Sequence, residues 1–450
     1  MGKRWAAESG RFEGFVATTK ENPMSLAATK SLALNGGDKA VKSDPGDTFT
    51  WPIVTAEDET AVLEVLRRGG MSGTEVTRQF EGELADWFGT EYALCHNSGT
   101  AAILTAMFGC GVGRGDEIIC QSMTYWGSAL QVFNLGGTVV FGELDPHSLC
   151  LDPADIEARI TPRTKAIIAV HYAGHPTDMD PLMEIAQRHG IKVIEDVSHA
   201  QGTLYKGRLT GTIGHVGAMS IMSGKSLVAG EGGFLVTNDA EIYERGVAFG
   251  HYERTPENKR PELARFAGLP LGGYKHRMHQ LSSAVGRVQL KHYKERIVEI
   301  QEGMNYFWDL LEGVPGLRAH RPSGDSQSTM GGWYAAKGLY VPDELGGLPV
   351  ARFCAAVRAE GSTTSPGANL LMHLHPVLNE ADVFADGKPT RIAHSDRDLR
   401  QGPGSLPVTE SIPGRCYGIP WFKKYRRQII EEHALAFRKV AEHADQVGEA

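Results

Sequence analysis

Hydrophobic positions along this chain change period several times, and the changes outline its organisation. From Thr55 to Gly69, a helix-start pattern (Thr-Ala-Glu-Asp) leads into Val62, Leu63, Val65 and Leu66 at helical spacing. A second helix is predicted over Thr74–Phe88, with Phe80, Leu84 and Trp87 on one face and Gly89 as its stop. Beyond it, short apolar runs alternate with helix-length segments. Ala93–Cys95, Glu117–Cys120, Thr138–Phe141, Lys165–Val170 and Lys192–Glu195 read as strands, and Phe234–Thr237 as a later one. Helices are predicted over Thr100–Gly109, Trp126–Leu135 and Pro181–His189. Such alternation indicates an α/β fold whose mostly parallel sheet is covered on both faces. Ligands of these sheets gather at the carboxyl ends of the strands.

The alternation ends near residue 290. Gln280–Ile300 reads as a long helix, continued or followed over Glu302–Leu311. Residues 315–410 are turn-rich, with shorter strands (Trp333–Val341) and a helix over Val350–Glu360, and a last helix spans about Gln428 to Val447. The expected division is a large domain over 46–290 and a smaller C-terminal α/β domain over 291–450. A polar arm, 1–45, precedes them without sustained periodicity. Met24 offers a second start, so the first 23 residues read as an extension that contributes little to the fold.

Composition narrows the class. The 450 residues are 41% hydrophobic and 22% charged, which is the balance of a soluble globular chain, and the 54 glycines are dispersed as many tight βα turns would require. A net charge of −8 gives no electrostatic reason to expect nucleic acid or an anionic membrane as partner. The basic run Lys423–Arg427 fits a solvated helix start. Six cysteines (95, 110, 120, 150, 354 and 416) form no CxxC pair and are expected as buried free thiols of a reducing cytosol. No apolar stretch has the length of a membrane span, and Met1–Pro23 lacks the apolar core of a signal peptide. The expected location is cytoplasmic.

Candidate chemistry lies at the predicted strand ends. Val193-Ile-Glu-Asp196 ends a buried-looking strand on a carboxylate, and Lys225 follows in the polar, glycine-rich stretch Ser220–Gly233. A strand-end Asp and a loop Lys are what a pyridoxal 5'-phosphate site requires: the lysine bonds the cofactor as a Schiff base, and the carboxylate keeps the pyridine nitrogen protonated. Asn97-Ser98-Gly99-Thr100 precedes a helix and offers backbone amides to a phosphate, with the Ser220 hydroxyl as an addition. Tyr125, in Ser122-Met-Thr-Tyr125-Trp126, either stacks on a planar cofactor or fills core. His199 either bonds the cofactor's ring oxygen or is an ordinary loop histidine. His373-Leu-His375 has a spacing seen in metal sites, but no third ligand is in view and no metal is expected.

Taken in order, these segments resemble the DegT/DnrJ/StrS family of sugar aminotransferases. The resemblance runs from about Thr55 to the C-terminal helix. It takes in Met71-Ser-Gly-Thr74, Phe80-Glu81, Asn97–Thr100, Ser122–Tyr125, His171-Tyr-Ala-Gly174, Asp178-Met-Asp180, Glu195-Asp196 with His199, and Ser220…Lys225…Gly230-Glu-Gly-Gly233. The version around Lys225 is most similar to the branch of aminohydroxybenzoate synthases and scyllo-inosose aminotransferases.

The resemblance implies a fold-type-I, aspartate aminotransferase-like architecture with a seven-stranded, mostly parallel sheet. It implies pyridoxal 5'-phosphate held by Lys225 and Asp196, with Tyr125 on the ring, His199 at the ring oxygen, and Ser98, Gly99, Thr100 and Ser220 around the phosphate. The family's Gly-Tyr-Asn segment, whose Asn reaches a partner's phosphate, is here Gly273-Tyr-Lys275, so Lys275 is the candidate replacement. Further implications are a homodimer with shared sites, a small-molecule amino donor (glutamate or glutamine), and a keto-sugar or keto-cyclitol acceptor. Specificity is expected from Met71–Thr74, His276–His279 and Gly361–His375. Two rival readings are elimination on the same scaffold and a ligand-sensing regulator. The regulator would need a DNA-binding module, and the arm shows no helix-turn-helix pattern. Family members that dehydrate sugars carry His at the position of Lys225.

Overall fold

The structure, a computed structural model, describes residues 31–448. Nine strands belong to the first two-thirds of the chain: β1 (Tyr92–His96), β2 (Glu117–Gln121), β3 (Thr138–Gly142), β4 (Thr164–Val170), β5 (Lys192–Asp196), the short hairpin β6 (Leu204–Tyr205) and β7 (Arg208–Leu209), β8 (Val216–Ser220) and β9 (Gly233–Thr237). Seven of them form one sheet in the order β1-β9-β8-β5-β4-β2-β3. Only β9 runs against the others, pairing antiparallel with both β1 and β8. These strands are rich in Val, Ile and Ala and almost wholly buried, as a sheet covered on both faces requires.

The return strand β9 decides where the site lies. Its first residue, Gly233, is the register partner of both Ser220 on β8 and His96 on β1. Asp196 pairs with Val170 on one side and Ala218 on the other. The carboxyl ends of β1, β8, β5 and β4 therefore form one rim, and the 221–232 loop between β8 and β9 stands on it.

The segment expected as a helix over Trp126–Leu135 is instead two 3-10 turns, Trp126–Ser128 and Leu130–Leu135, broken at Ala129. Side chains tie it to its neighbours: Ser128 bonds Thr124 and Asp196, and Gln131 donates to the Thr100 carbonyl as well as, within the segment, to that of Gly127. The long helix expected from Gln280 divides at His292 into Gln280–Lys291 and Tyr293–Leu310.

The C-terminal part builds an antiparallel sheet, β10 (Leu317–Ala319), β11 (Lys337–Tyr340), β13 (Cys416–Gly418) and β12 (Ser365–Pro366), in that order. Helices Tyr293–Leu310, Val350–Ala359 and Arg427–Glu442 pack with it around Phe307, Phe353, Tyr417 and Phe437.

The reading of residues 1–45 as an arm needs correction where the structure describes it; residues 1–30 lie outside the described residues. From Leu32 to Ser43 the chain is strapped to the C-terminal helices. Leu32 is fully buried in their core. The buried Glu360 carboxylate accepts from the N–H groups of Ala33 (2.7 Å) and Ala40 (3.0 Å) and from Lys439 Nζ (2.9 Å). Polar composition concealed this, because the strap is held by backbone amides and not by apolar periodicity. All six cysteines are buried and free. Among the described residues no helix is long and apolar enough to cross a membrane.

Candidate active site

Asp196 ends β5 and is only 3% exposed. Its Oδ2 accepts from Ser128 Oγ (2.7 Å) and its Oδ1 from the Ser198 N–H (3.0 Å), which fixes the carboxylate plane and leaves lone pairs for one more donor. The neighbouring Glu195 points the other way, as strand alternation dictates. It is wholly consumed by His171 Nε2 (2.9 Å) and the backbone of Gly211, Ile213 and Gly214. Glu195 therefore holds the rim together while Asp196 faces the site.

Lys225 is 8% exposed. The loop carrying it is closed by backbone bonds from Ile221 to Gly232, Ser223 to Gly230 and Ala229 to Ile221. Burial pushes the Lys225 amine down to about 8, against the opposing pull of the Asp196 charge. Trp51 Nε1 donates to the Lys225 carbonyl (2.7 Å), and the amine itself lies over the Tyr334 ring, 4.1 Å from its centre.

Ser98 caps the Gly99–Gly109 helix by accepting from the Ala101 N–H (3.1 Å). The N–H groups of Gly99 and Thr100 have no acceptor among the described residues. Gly99 is required by contact: a Cβ there would stand 2.5 Å from Ser220 Cβ. Ser220 is held through its N–H on Ser198 Oγ (3.0 Å), and its own hydroxyl makes only a long contact with the Met222 N–H (3.4 Å). Two helix-terminal amides and a hydroxyl thus converge beside the lysine loop, an arrangement that suits an anion.

Tyr125 is 52% exposed and rests against Trp126, with ring centroids 4.9 Å apart, so it does not fill core. His199 is buried, and its Nδ1 accepts from the Ala173 N–H (3.2 Å). Ala173 takes a left-handed φ of 52° to present that N–H. Burial, together with the charges of Lys225 and Lys337, holds His199 well below the usual histidine range. The ring is therefore neutral with its proton on Nε2, a donor and not a cation.

Lys275 stands apart from this group. Its side chain is exposed and has no ion pair among the described residues, and its carbonyl receives Asn97 Nδ2 at 3.4 Å. The buried His373 is engaged by Ser122 Oγ (2.7 Å) and Glu410 (3.2 Å), while His375 caps a short helix. Among the described residues no group of three or more His, Cys, Asp or Glu could hold a metal ion.

Ser128, Tyr334 and Trp51 escaped the sequence reading. Ser128 and Trp51 carry no local signal, since their roles come from partners 68 and 174 positions away. Tyr334 had one. Gly331-Gly332-Trp333-Tyr334 marks a close backbone approach, and a Cβ on Gly331 would meet the Gln201 carbonyl at 2.5 Å. Left-handed φ angles at Gly331, Trp333 and Ala335 shorten the strand expected over Trp333–Val341 to Lys337–Tyr340 and turn the Tyr334 ring toward Lys225.

A seven-stranded sheet with one returning strand, a carboxylate at a strand end and a buried lysine on the β8–β9 loop define a fold-type-I enzyme. Residues 52–425 match the DegT/DnrJ/EryC1/StrS aminotransferase family, and the chain belongs to it. It is 31% identical over 372 residues to the spore coat polysaccharide biosynthesis protein SpsC of Bacillus subtilis (strain 168), covering 81% of this chain and 92% of that protein. It is 32% identical over 399 residues to L-glutamine:2-deoxy-scyllo-inosose aminotransferase of Streptoalloteichus tenebrarius, covering 85% and 91% respectively. The solved structure of 3-amino-5-hydroxybenzoic acid (AHBA) synthase superposes with a TM-score of 0.72 at 25% identity, covering 92% of this chain and all of that one. The protein is an aminotransferase, and the enzymes of its family depend on pyridoxal phosphate.

Proposed function

We propose that this protein binds pyridoxal 5'-phosphate through Lys225 and moves an amino group from glutamate or glutamine to a keto-sugar, nucleotide keto-sugar or keto-cyclitol. The observation that carries the reading is the Lys225 amine, 8% exposed on the β8–β9 loop and near enough to the strand-end Asp196 carboxylate to feel its charge. The residues present fit the cofactor. The amides of Gly99 and Thr100 and the hydroxyl of Ser220 offer donors to a phosphate, with Ser98 setting the turn. A Cβ on Gly99 would fill that cradle.

The bound cofactor supplies an electron-accepting ring conjugated to the substrate nitrogen. The protein does the rest. Asp196 would hold a proton on the pyridine nitrogen, and Ser128 and Ser198 keep its carboxylate in line. His199 Nε2–H would donate to the ring oxygen, and Tyr125, exposed at the site, would cover the ring. Lys225 Nζ would hold the cofactor's aldehyde carbon and, once freed, would be the base that moves a proton at the donor's α-carbon. Lys275 is the proposed phosphate contact across a homodimer. A fully active monomer in sedimentation would contradict that role.

Similarity to SpsC and to the scyllo-inosose enzyme supports a sugar or cyclitol acceptor within cell-surface or secondary-metabolite chemistry. Likeness to AHBA synthase supports a second reading, elimination on the same scaffold. The two differ in stoichiometry: transfer from glutamate releases one 2-oxoglutarate per ketone aminated, whereas elimination proceeds without an amino donor. The founding test is borohydride reduction of cofactor-saturated protein followed by peptide mass spectrometry. The cofactor mass is expected on Lys225, and an unmodified Lys225 would overturn the reading.

A further inference from the structure

We infer that Lys337 is the cation that receives a carboxylate of the amino donor. The inference rests on the aminotransferase reading above and adds a substrate contact to it.

Strand alternation places the residue. Gly338 and Tyr340 of β11 turn into the buried C-terminal core, where Tyr340 is fully enclosed. Lys337 and Leu339 occupy the opposite face, and Leu339 packs against the cluster that contains Tyr172 and Ala173. Those two residues lie in the turn just after β4, and Ala173 is the one whose N–H orients His199. Lys337 thus enters the site from the C-terminal sheet, on the His199 side. Its charge is felt at His199 together with that of Lys225.

Its bonding is incomplete. Among the described residues the Gly367 carbonyl, at 3.2 Å, is the only acceptor of Lys337 Nζ, and no carboxylate lies within ion-pair distance. A half-buried ammonium satisfied by one carbonyl retains two donors and its full charge. The Gly367–Asn369 loop above it is fixed, with the Gly367 N–H on the Cys416 carbonyl (2.7 Å) and the Tyr172 hydroxyl on Asn369 Oδ1 (2.6 Å). The other cations nearby are already assigned or engaged, Lys423 by the Phe49 carbonyl (3.1 Å) and the Trp421 ring it lies over at 4.5 Å. Lys225 faces Asp196, Lys275 lies on the Asn97 side, and Arg277 is paired with Glu253 at 3.3 Å. Glutamate and glutamine both carry a carboxylate that must be held while the amine reacts, and Lys337 is a free cation at the margin of that space.

The test uses glutarate, a donor mimic without an amine, titrated into cofactor-loaded protein and read from the visible band of the bound cofactor. Lys337→Met is expected to raise the glutarate dissociation constant about 10- to 100-fold, the worth of a charge-assisted bond, and Lys337→Arg to stay within about threefold of wild type. Cofactor retention and the affinity for an uncharged keto-cyclitol are expected to be unchanged in both. Wild-type glutarate affinity in Lys337→Met would overturn the assignment. So would an equal loss for glutarate and the uncharged ketone, or a loss confined to a nucleoside diphosphate.

Wild-type protein provides a second measurement should the variant fail to fold. Glutarate is expected to slow acetylation of Lys337 by an amine-modifying reagent, followed by peptide mass spectrometry, and an unaltered rate would sink the idea. Failure of the parent reading has a different signature, the absence of cofactor on Lys225 in the wild type.

Discussion

The Lys225 amine lies 4.1 Å from the centre of the Tyr334 ring, and the same ring stands 4.9 Å from that of His199. One aromatic side chain of the C-terminal part thus touches two of the groups assigned to the cofactor. Trp421 meets it edge-on at 5.9 Å, so the ring is a fixed wall. An aromatic face favours the protonated lysine by about 0.5–2 kcal/mol. Tyr334→Leu, which keeps the site apolar but removes the face, is expected to move the Lys225 titration down by about 0.5–1 unit, and Tyr334→Phe to leave it in place. The pH dependence of the rate of cofactor loading measures both.

Loading itself is expected to depend on pH in a defined sense. Only the neutral amine attacks an aldehyde, and the folded protein holds Lys225 at about 8 where an exposed lysine titrates near 10.5. The neutral fraction rises through pH 8, so the loading rate constant of cofactor-free protein is expected to increase about tenfold from roughly pH 7 to pH 9 and then level off. A rate still climbing steeply above pH 10 would show that burial does not lower this amine.

Asp196 and Ser128 are expected to separate in magnitude. Asp196→Asn would replace the proposed charge-assisted bond to the pyridine nitrogen with a neutral one and is expected to lower turnover about a hundredfold or more. Ser128→Ala leaves the charge and removes one of the two donors that orient it; with the Ser198 N–H still in place, turnover is expected to drop about fivefold. Single-turnover kinetics with glutamate distinguishes them.

The cradle at Gly99 tolerates no side chain. Gly99→Ala sets a methyl 2.5 Å from Ser220 Cβ and 2.7 Å from its Cα, atoms of a strand end that cannot swing aside. The expected cost is about 1–3 kcal/mol in stability, together with loss of cofactor on gel filtration. Thermal melts with and without added cofactor are expected to converge in this variant and to differ in the wild type.

The strap over residues 31–45 is expected to matter for stability through one buried pair. Lys439→Met leaves the enclosed Glu360 carboxylate without its cation and is expected to destabilise by about 3–5 kcal/mol. Adding Glu360→Gln to Lys439→Met is expected to restore part of the loss, because the uncompensated charge goes with it. Denaturant unfolding of the two variants gives the comparison.

Much of the large sheet is legible in the order of residues alone. The apolar runs at Glu117–Cys120 and Lys165–Val170 are long enough and β-branched enough to have one outcome, and glycines such as Gly89 end helices for a local reason. The helix expected at Trp126–Leu135 failed because its own hydrogen bonds lost to side-chain ties with Thr100 and Asp196, which no local pattern records. The strap at 31–45 was missed for a similar reason, since Glu360 lies more than three hundred residues away from Ala33 and Ala40.

Local chemistry and spacing therefore determined the strand-end carboxylate, the loop lysine and the small-residue turn, because each depends on a few adjacent residues and their backbone preferences. The tertiary structure alone decided that Tyr334 closes over Lys225, that the Ala173 N–H settles the tautomer of His199, and that Lys337 enters from the second sheet. Those contacts join segments a hundred residues or more from the lysine loop, or depend on a backbone twist that only surrounding packing maintains. Burial supplies the remaining term. The distance of Lys225 from water sets its titration, and no string of neighbours along the chain reveals that distance.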